Sequence, residues 1–221
     1  MIITMGNVRG PALGKMFRAT MTAPSLSLSQ QQLLDQLQTT LATGLSRDEA
    51  AKRRERDGLF NVIDPPLKCP AWVCCLLPCI KSIPSMKAFR EVQPEDAEVL
   101  RDSRWTRYDA AGLVVGDIVQ LDEGDVVPAD CVLLTLADHE MLVDLRNITG
   151  EERARSISSL NNTAPAVKLF YGGQVLQGSG TCVVTAIGSS TLLAKIIRER
   201  KFPPKENILE GEEEVHGIDL V

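Results

Sequence analysis

Histidine is nearly absent from this sequence: His139 and His216 are the only two in 221 residues, and they lie far apart. A His-based metal site or a catalytic triad therefore has little to be built from. No Walker-type glycine-rich phosphate loop occurs, and no GxGxxG follows a strand-like run, so the common nucleotide-binding fingerprints are missing. Long apolar runs are missing too. The longest near the middle, AWVCCLLPCI at residues 71–80, is interrupted by Pro78 and falls short of the about 20 residues of a membrane span, so this chain is not expected to cross a bilayer. A net charge of −5 gives no general attraction for nucleic acid, which is not an expected partner. No secretory h-region is visible. The first 34 residues lack any acid and carry Arg9, Lys15 and Arg18, which fits either a disordered tail or an organelle transit peptide.

What is present suits one medium domain with flanking segments. Hydrophobic residues make up 44% and charged residues 24%, ordinary for a globular chain that buries a core. Ser29 is a candidate cap for a helix carrying Leu33, Leu34, Leu37 and Leu41, with Gly44 as its stop. Ser46 and Glu49 have the spacing of a capping box, and Gly58 suits the left-handed position after a second helix, the two helices being joined by a tight turn. Pro65, Pro66, Pro70, Pro78 and Pro84 make residues 61–85 an irregular apolar connector. SMKAFREV then allows two helical turns before Pro94.

From Val99 the period changes to two, with turn residues recurring at strand spacing. EVLRDSRWTRYD reads as a hairpin; GDIVQL, DCVLLTL, EMLVDL, VKLFYGG and GTCVVTAIG read as strands, with DEGD a turn. STLLAKIIRERK reads as an amphipathic helix presenting Leu192, Leu193, Ile196 and Ile197. The expected division is a disordered or targeting tail at 1–26, a helical segment at 27–60, a Cys/Pro-rich connector at 61–95, a β-rich domain at 96–200 and an acidic tail at 201–221. The expected fold class is α+β, mainly β: short antiparallel strands in one compact domain with short N-terminal helices and one C-terminal helix.

Cys131 and Cys182 fall in strands and read as small core residues. Cys69, Cys74, Cys75 and Cys79 cluster in the connector. Their spacing is not that of a zinc ribbon, and the open readings are a buried apolar patch, acylation of Cys74 or Cys75 at a membrane surface beside Lys68, Lys81 and Lys87, and metal binding.

One ordered series stands above the rest. LVVGDIVQLDEGDVVPADCVLL is followed by VDLRNITGEE, then by Gly172, Val175 and Gly178, then by Gly188, Thr191, Lys195 and Ile196. This series resembles the actuator domain of the P-type ATPases, cation pumps that cycle through an aspartyl phosphate. GLSRDEAAKRRERDG and NVIDPP are similar to the cytosolic N-terminal segment of cation-pumping members. The resemblance implies a compact, distorted β-barrel or jelly-roll-like domain, and it implies a role for Thr149, Gly150 and Glu151. In an intact pump this loop docks on the phosphorylated domain and its glutamate orients the water that attacks the phosphate.

The sequence departs from the family pattern at Glu152 and Arg146, each in place of Ser, at Ala154 in place of Pro, and at Ala194 in place of Gly. The connector stands where the first two membrane helices belong, and the phosphorylation motif and nucleotide-binding domain are absent. Glu151 would then act only in trans or in an intact pump, and in this chain alone it is expected to be a solvated loop residue whose loss leaves stability within about 0.5 kcal/mol. The expectation is a stand-alone actuator-like protein, non-catalytic by itself, serving as a binding or regulatory module related to cation transport; the alternative is a fragment of a cation-transporting pump. A small enzyme with unrelated chemistry lacks a nucleophile–base pair. No cofactor is expected. The expected partner is a P-type ATPase or another membrane protein, and the expected location is the cytoplasm, with a membrane face or an organelle as alternatives.

Overall fold

The computed structural model describes residues 26–58, 60–67, 83–158 and 167–204. Residues 1–25 and 205–221 of the expected tails, and Cys69, Cys74, Cys75 and Cys79 with the readings offered for them, lie outside the described residues; Phe202, in the expected acidic tail, is described and buried. Within them the chain is mainly β with a few short helices. In order come α1 (Leu28–Gln36), α2 (Arg47–Asp57), α3 (Pro84–Glu91), β1 (Asp96–Arg101), β2 (Arg104–Asp109), β3 (Ile118–Leu121), β4 (Asp130–Leu136) and β5 (Met141–Asp144). Then follow α4 (Arg146–Thr149), β6 (Arg155–Ile157), β7 (Lys168–Leu169), β8 (Gln174–Gln177), β9 (Gly180–Ala186) and α5 (Leu192–Arg198). The strands form two antiparallel sheets, β2-β1-β3-β9-β4-β7 and β6-β5-β8.

Side-chain alternation shows how the large sheet is used. Val99, Val119, Leu121, Cys131, Leu133, Cys182 and Val184 share one core with Met141, Val143, Val175 and Ile157 of the small sheet. The intervening residues, Leu100, Ile118, Val132, Leu134 and Val183, form a second layer with Leu34 and are covered by Leu33, Leu37 and Leu41. Both faces are therefore buried at the centre of the large sheet, which is why the run Cys131 to Leu134 in β4 is continuously apolar instead of alternating. Cys131 and Cys182 are free, buried thiols of this core. A hydrogen bond to Cys182, together with burial, pushes the Cys131 thiol well above its usual range.

The N-terminal segment is tied to the sheet by polar side chains that reach backbone groups. Gln30 Nε2 donates to the carbonyls of Leu133 (3.0 Å) and Leu134 (3.2 Å), where the β4–β9 register shifts. Arg53 Nη1 donates to the Val115 carbonyl at 2.8 Å and Arg54 Nη2 to the Gly112 carbonyl at 2.5 Å. Asn61, buried, donates to the carbonyls of Ala110 and Pro128 and accepts from Gly188 N.

Several local expectations need correction. The cap of α1 is Ser27, not Ser29: Ser27 and Gln30 complete a reciprocal capping box, two residues earlier than read. The helix ends at Gln36, and Leu41 packs from the following turn. Gly44 lies beyond this end, against the Leu100 carbonyl, and residues 37–46 make a longer connection than a tight turn. Ser46 does accept from Glu49 N, but the Glu49 carboxylate pairs with Arg53, so only half of that capping box forms. Gly58 ends α2 in the left-handed conformation, as read. VKLFYGG contributes only the two residues of β7, and β6 went unseen.

Candidate functional site

The Thr149–Gly150–Glu151 loop is built on α4, which leaves the end of β5. Asp144, the last residue of β5, accepts from the Arg146 backbone N–H at 3.0 Å and from its guanidinium at 2.6 Å. The Arg146 guanidinium holds the Asp144 carboxyl below its usual range. Ile148 points the other way, fully buried with Phe89 and Val92 around α3, Tyr171, and Leu193 and Ile196 of α5. Phe89 and Phe202 meet edge to face in the same cluster, 6.5 Å apart. The loop thus has an apolar footing on two helices.

Gly150 closes α4 with φ +77°, a conformation costly for residues with a Cβ, and its N–H donates to the Arg146 carbonyl at 3.1 Å. This left-handed turn brings Glu151 back over Thr149. Thr149 is fully buried, and its Oγ1 lies 3.1 Å from both the Leu145 carbonyl and Glu151 Oε1, so its one proton serves one or the other. Glu151 Oε1 also accepts from Arg155 Nη2. The Glu151 side chain is only 14% exposed. The expectation of a solvated loop residue is therefore overturned: local folding places a cation and a hydroxyl on the same carboxylate oxygen. Glu152 and Arg153, at the tip, are exposed.

Two polar constellations elsewhere in the domain were not read from the sequence. Asp130 opens β4 and accepts from Tyr171 N (2.9 Å) and Leu192 N (2.7 Å), joining β4, the turn after β7 and the start of α5. Burial pushes its carboxyl above the usual range, against the opposing pull of those two N–H groups. Arg101 and Asp117, both buried, pair across β1 and the entry to β3. Among the described residues no group of three or more His, Cys, Asp or Glu could hold a metal ion, and no helix is long and apolar enough to cross a membrane.

Residues 91–201 match the family described as the P-type ATPase actuator domain, which is half of the chain. The chain belongs to this family. Residues 27–78 match the N-terminal family of cation transporters and ATPases. An endoplasmic reticulum calcium ATPase, srcA, of Aspergillus fumigatus is 35% identical over 119 residues, covering 51% of this chain and 12% of that protein. The alpha subunit of a sodium/potassium-transporting ATPase of Hydra vulgaris is 26% identical over 229 positions, covering 77% of this chain and 22% of that protein. A plasma membrane-type calcium-transporting ATPase, number 10 of Arabidopsis thaliana, is 40% identical over 94 residues, 42% of this chain and 8% of that protein. Among solved structures, a zinc-transporting PIB-type ATPase in an E2.Pi state matches 59% of this chain and 21% of that chain, with a TM-score of 0.42 and 20% identity. The chain thus spans between 8% and 22% of the length of these curated relatives.

Proposed function

We propose that this actuator domain presents Glu151 to an aspartyl phosphate carried elsewhere, on another polypeptide or on another part of a larger pump. The observation that carries the reading is the placing of Gly150 and Glu151 directly after α4, whose Ile148 and Thr149 are buried, within the matched family segment. Gly150 leaves the backbone free of a side chain where a phosphate would approach. Glu151 then orients a water within about 3 Å and takes its proton as the water oxygen attacks phosphorus and the bond to the aspartate oxygen breaks, freeing the aspartate carboxylate. By itself the chain is a non-catalytic binding or regulatory module connected with cation transport. Its partner is the phosphorylated domain of a P-type ATPase, and its place is the cytoplasmic side of the pump's membrane, with acylation of Cys74 or Cys75 as a further means of attachment. If the chain is one segment of a longer cation pump, the same loop chemistry operates in cis; the 12% and 22% of two relatives that it spans are consistent with either arrangement.

The test uses a calcium-transporting P-type ATPase whose own actuator glutamate has been replaced by glutamine, so that its phosphoenzyme persists. Adding this chain is expected to speed phosphoenzyme decay, and Glu151→Gln to abolish the effect. Equal decay with both chains, or with neither, overturns the reading. The chain alone should release no phosphate from ATP.

A further inference from the structure

Arg155 holds the loop without a part in the chemistry proposed for it. It opens β6 opposite Val143 of β5, and its guanidinium bridges two elements. Nη1 donates to the Lys168 carbonyl of β7 at 3.2 Å, and Nη2 donates to Glu151 Oε1. The cation therefore has its base on a strand and a second tether on the other sheet, while its far nitrogen holds the loop carboxylate. Its side chain is 28% exposed against 14% for Glu151, so the pair is partly shielded from water.

The distribution of bonds on Glu151 is uneven. Oε1 receives Arg155 and lies within reach of Thr149, whereas no hydrogen bond among the described residues goes to Oε2. A carboxylate held at one oxygen by a tethered guanidinium, with a buried hydroxyl against the same oxygen, cannot rotate freely, and it keeps the lone pairs of the other oxygen available. That is the arrangement a water-orienting carboxylate needs, because its usefulness depends on being held in place before the reaction.

We infer that Arg155 is a positioning residue that fixes the Glu151 carboxylate through Oε1 and leaves Oε2 as the acceptor for the attacking water. The inference rests on the reading of the loop given above. In this assignment Arg155 acts through Glu151, with its own bonds going to Glu151 Oε1 and the Lys168 carbonyl. A lysine here could keep the charge but not serve both Glu151 and the Lys168 carbonyl with a planar fork.

Two measurements on the full chain test this separately from the parent reading. In NMR spectra, the two Nη groups of Arg155 should show hindered rotation that is lost in Glu151→Gln and kept in Glu152→Gln. Averaged Arg155 signals that ignore Glu151→Gln would overturn the positioning role whatever the loop does. In the phosphoenzyme assay, Arg155→Gln should lower the maximal Glu151-dependent decay rate roughly fivefold, the rate equivalent of one partly exposed ion pair, with the half-saturating concentration of the chain unchanged. Arg155→Lys should recover part of the loss. An equal rate, a faster one, or a change in half-saturation alone would overturn the inference, the faster rate because it would make Arg155 a restraint on Glu151. If wild type and Glu151→Gln are indistinguishable, the parent reading fails, and the NMR result alone decides whether Arg155 holds the carboxylate.

Discussion

Arg101 and Asp117 face each other as a two-pronged ion pair, Nε to Oδ1 at 2.9 Å and Nη2 to Oδ2 at 2.6 Å, with Asp117 fully buried. Asp117 Oδ2 also accepts from Val114 N at 2.8 Å, and the guanidinium stacks 4.7 Å from the centre of the Tyr108 ring. Burial opposes the charge on Arg101, but the Asp117 carboxylate outweighs it and holds the guanidinium above its usual range. The pair fixes the hairpin β1–β2 to the entry of β3. Removing either partner strands the other as a buried charge, so Arg101→Ala and Asp117→Ala should each cost about 3–5 kcal/mol. The double variant should cost clearly less than the sum. Urea unfolding of the four proteins checks this; strictly additive losses would mean that the two residues stabilise independently.

Glu151→Gln should cost more than an exposed loop change, because its acceptor oxygen serves Arg155 and lies against Thr149. Glutamine keeps an acceptor but loses the charge, so the expected loss is about 1 kcal/mol. Glu152→Gln, one residue on and exposed, is the control and should stay within about 0.5 kcal/mol. Identical unfolding midpoints for the two variants would mean that the Arg155 contact adds nothing to stability.

The sequence made the long strands and α1 legible because their apolar spacing is local, and α2 legible through its cap at Ser46 and its stop at Gly58. It did not reveal β6, a strand of three residues whose pairing with β5 is set by the intervening loop. The sheet order was equally invisible, and with it the Arg101–Asp117 pair, which requires β1 to lie beside β3. Gly172 shows the intermediate case. It could be recognised as part of a series, but its reason is tertiary: φ is +87°, and a Cβ there would lie 2.8 Å from both the Val92 Cβ and its carbonyl oxygen, beside Ile148. At the loop itself, the residue types and spacing of Thr149, Gly150 and Glu151 were readable. The capture of Glu151 by Arg155 was not, since a spacing of four means little outside a helix.

Gln30 should be a measurable link between α1 and the large sheet. Its side chain is buried, satisfies the Leu133 and Leu134 carbonyls, and accepts from Ser27 N at 2.9 Å through Oε1. Gln30→Ala leaves those carbonyls without this donor and breaks the capping box, so about 2 kcal/mol should be lost. Because α1 covers Ile118, Val132 and Val183, amide exchange in β3, β4 and β9 should quicken together. Faster exchange confined to α1 would show that the sheet does not depend on this cover.

Asp130 and Asp144 should move stability in opposite directions across the acid range. Both start from an ordinary value of 3.8. Burial raises Asp130, so the fold prefers it protonated; that stabilisation is full below the ordinary value and is lost as pH rises through the raised folded value. Arg146 lowers Asp144, so its stabilisation is present above the ordinary value and is lost as pH falls through the lowered folded value. The advantage of wild type over Asp130→Asn should therefore shrink as pH rises above the ordinary value of 3.8, whereas its advantage over Asp144→Asn should grow as pH rises towards 3.8 from below. Each substitution also carries a constant cost. For Asp130→Asn it includes a lost acceptor, since one amide oxygen replaces the two carboxylate oxygens that serve Tyr171 N and Leu192 N. Such constants shift the differences up or down without altering their slopes. Denaturant unfolding at a series of pH values reads the two slopes directly. Slopes of the same sign would mean that either the burial of Asp130 or the grip of Arg146 on Asp144 does not govern its titration.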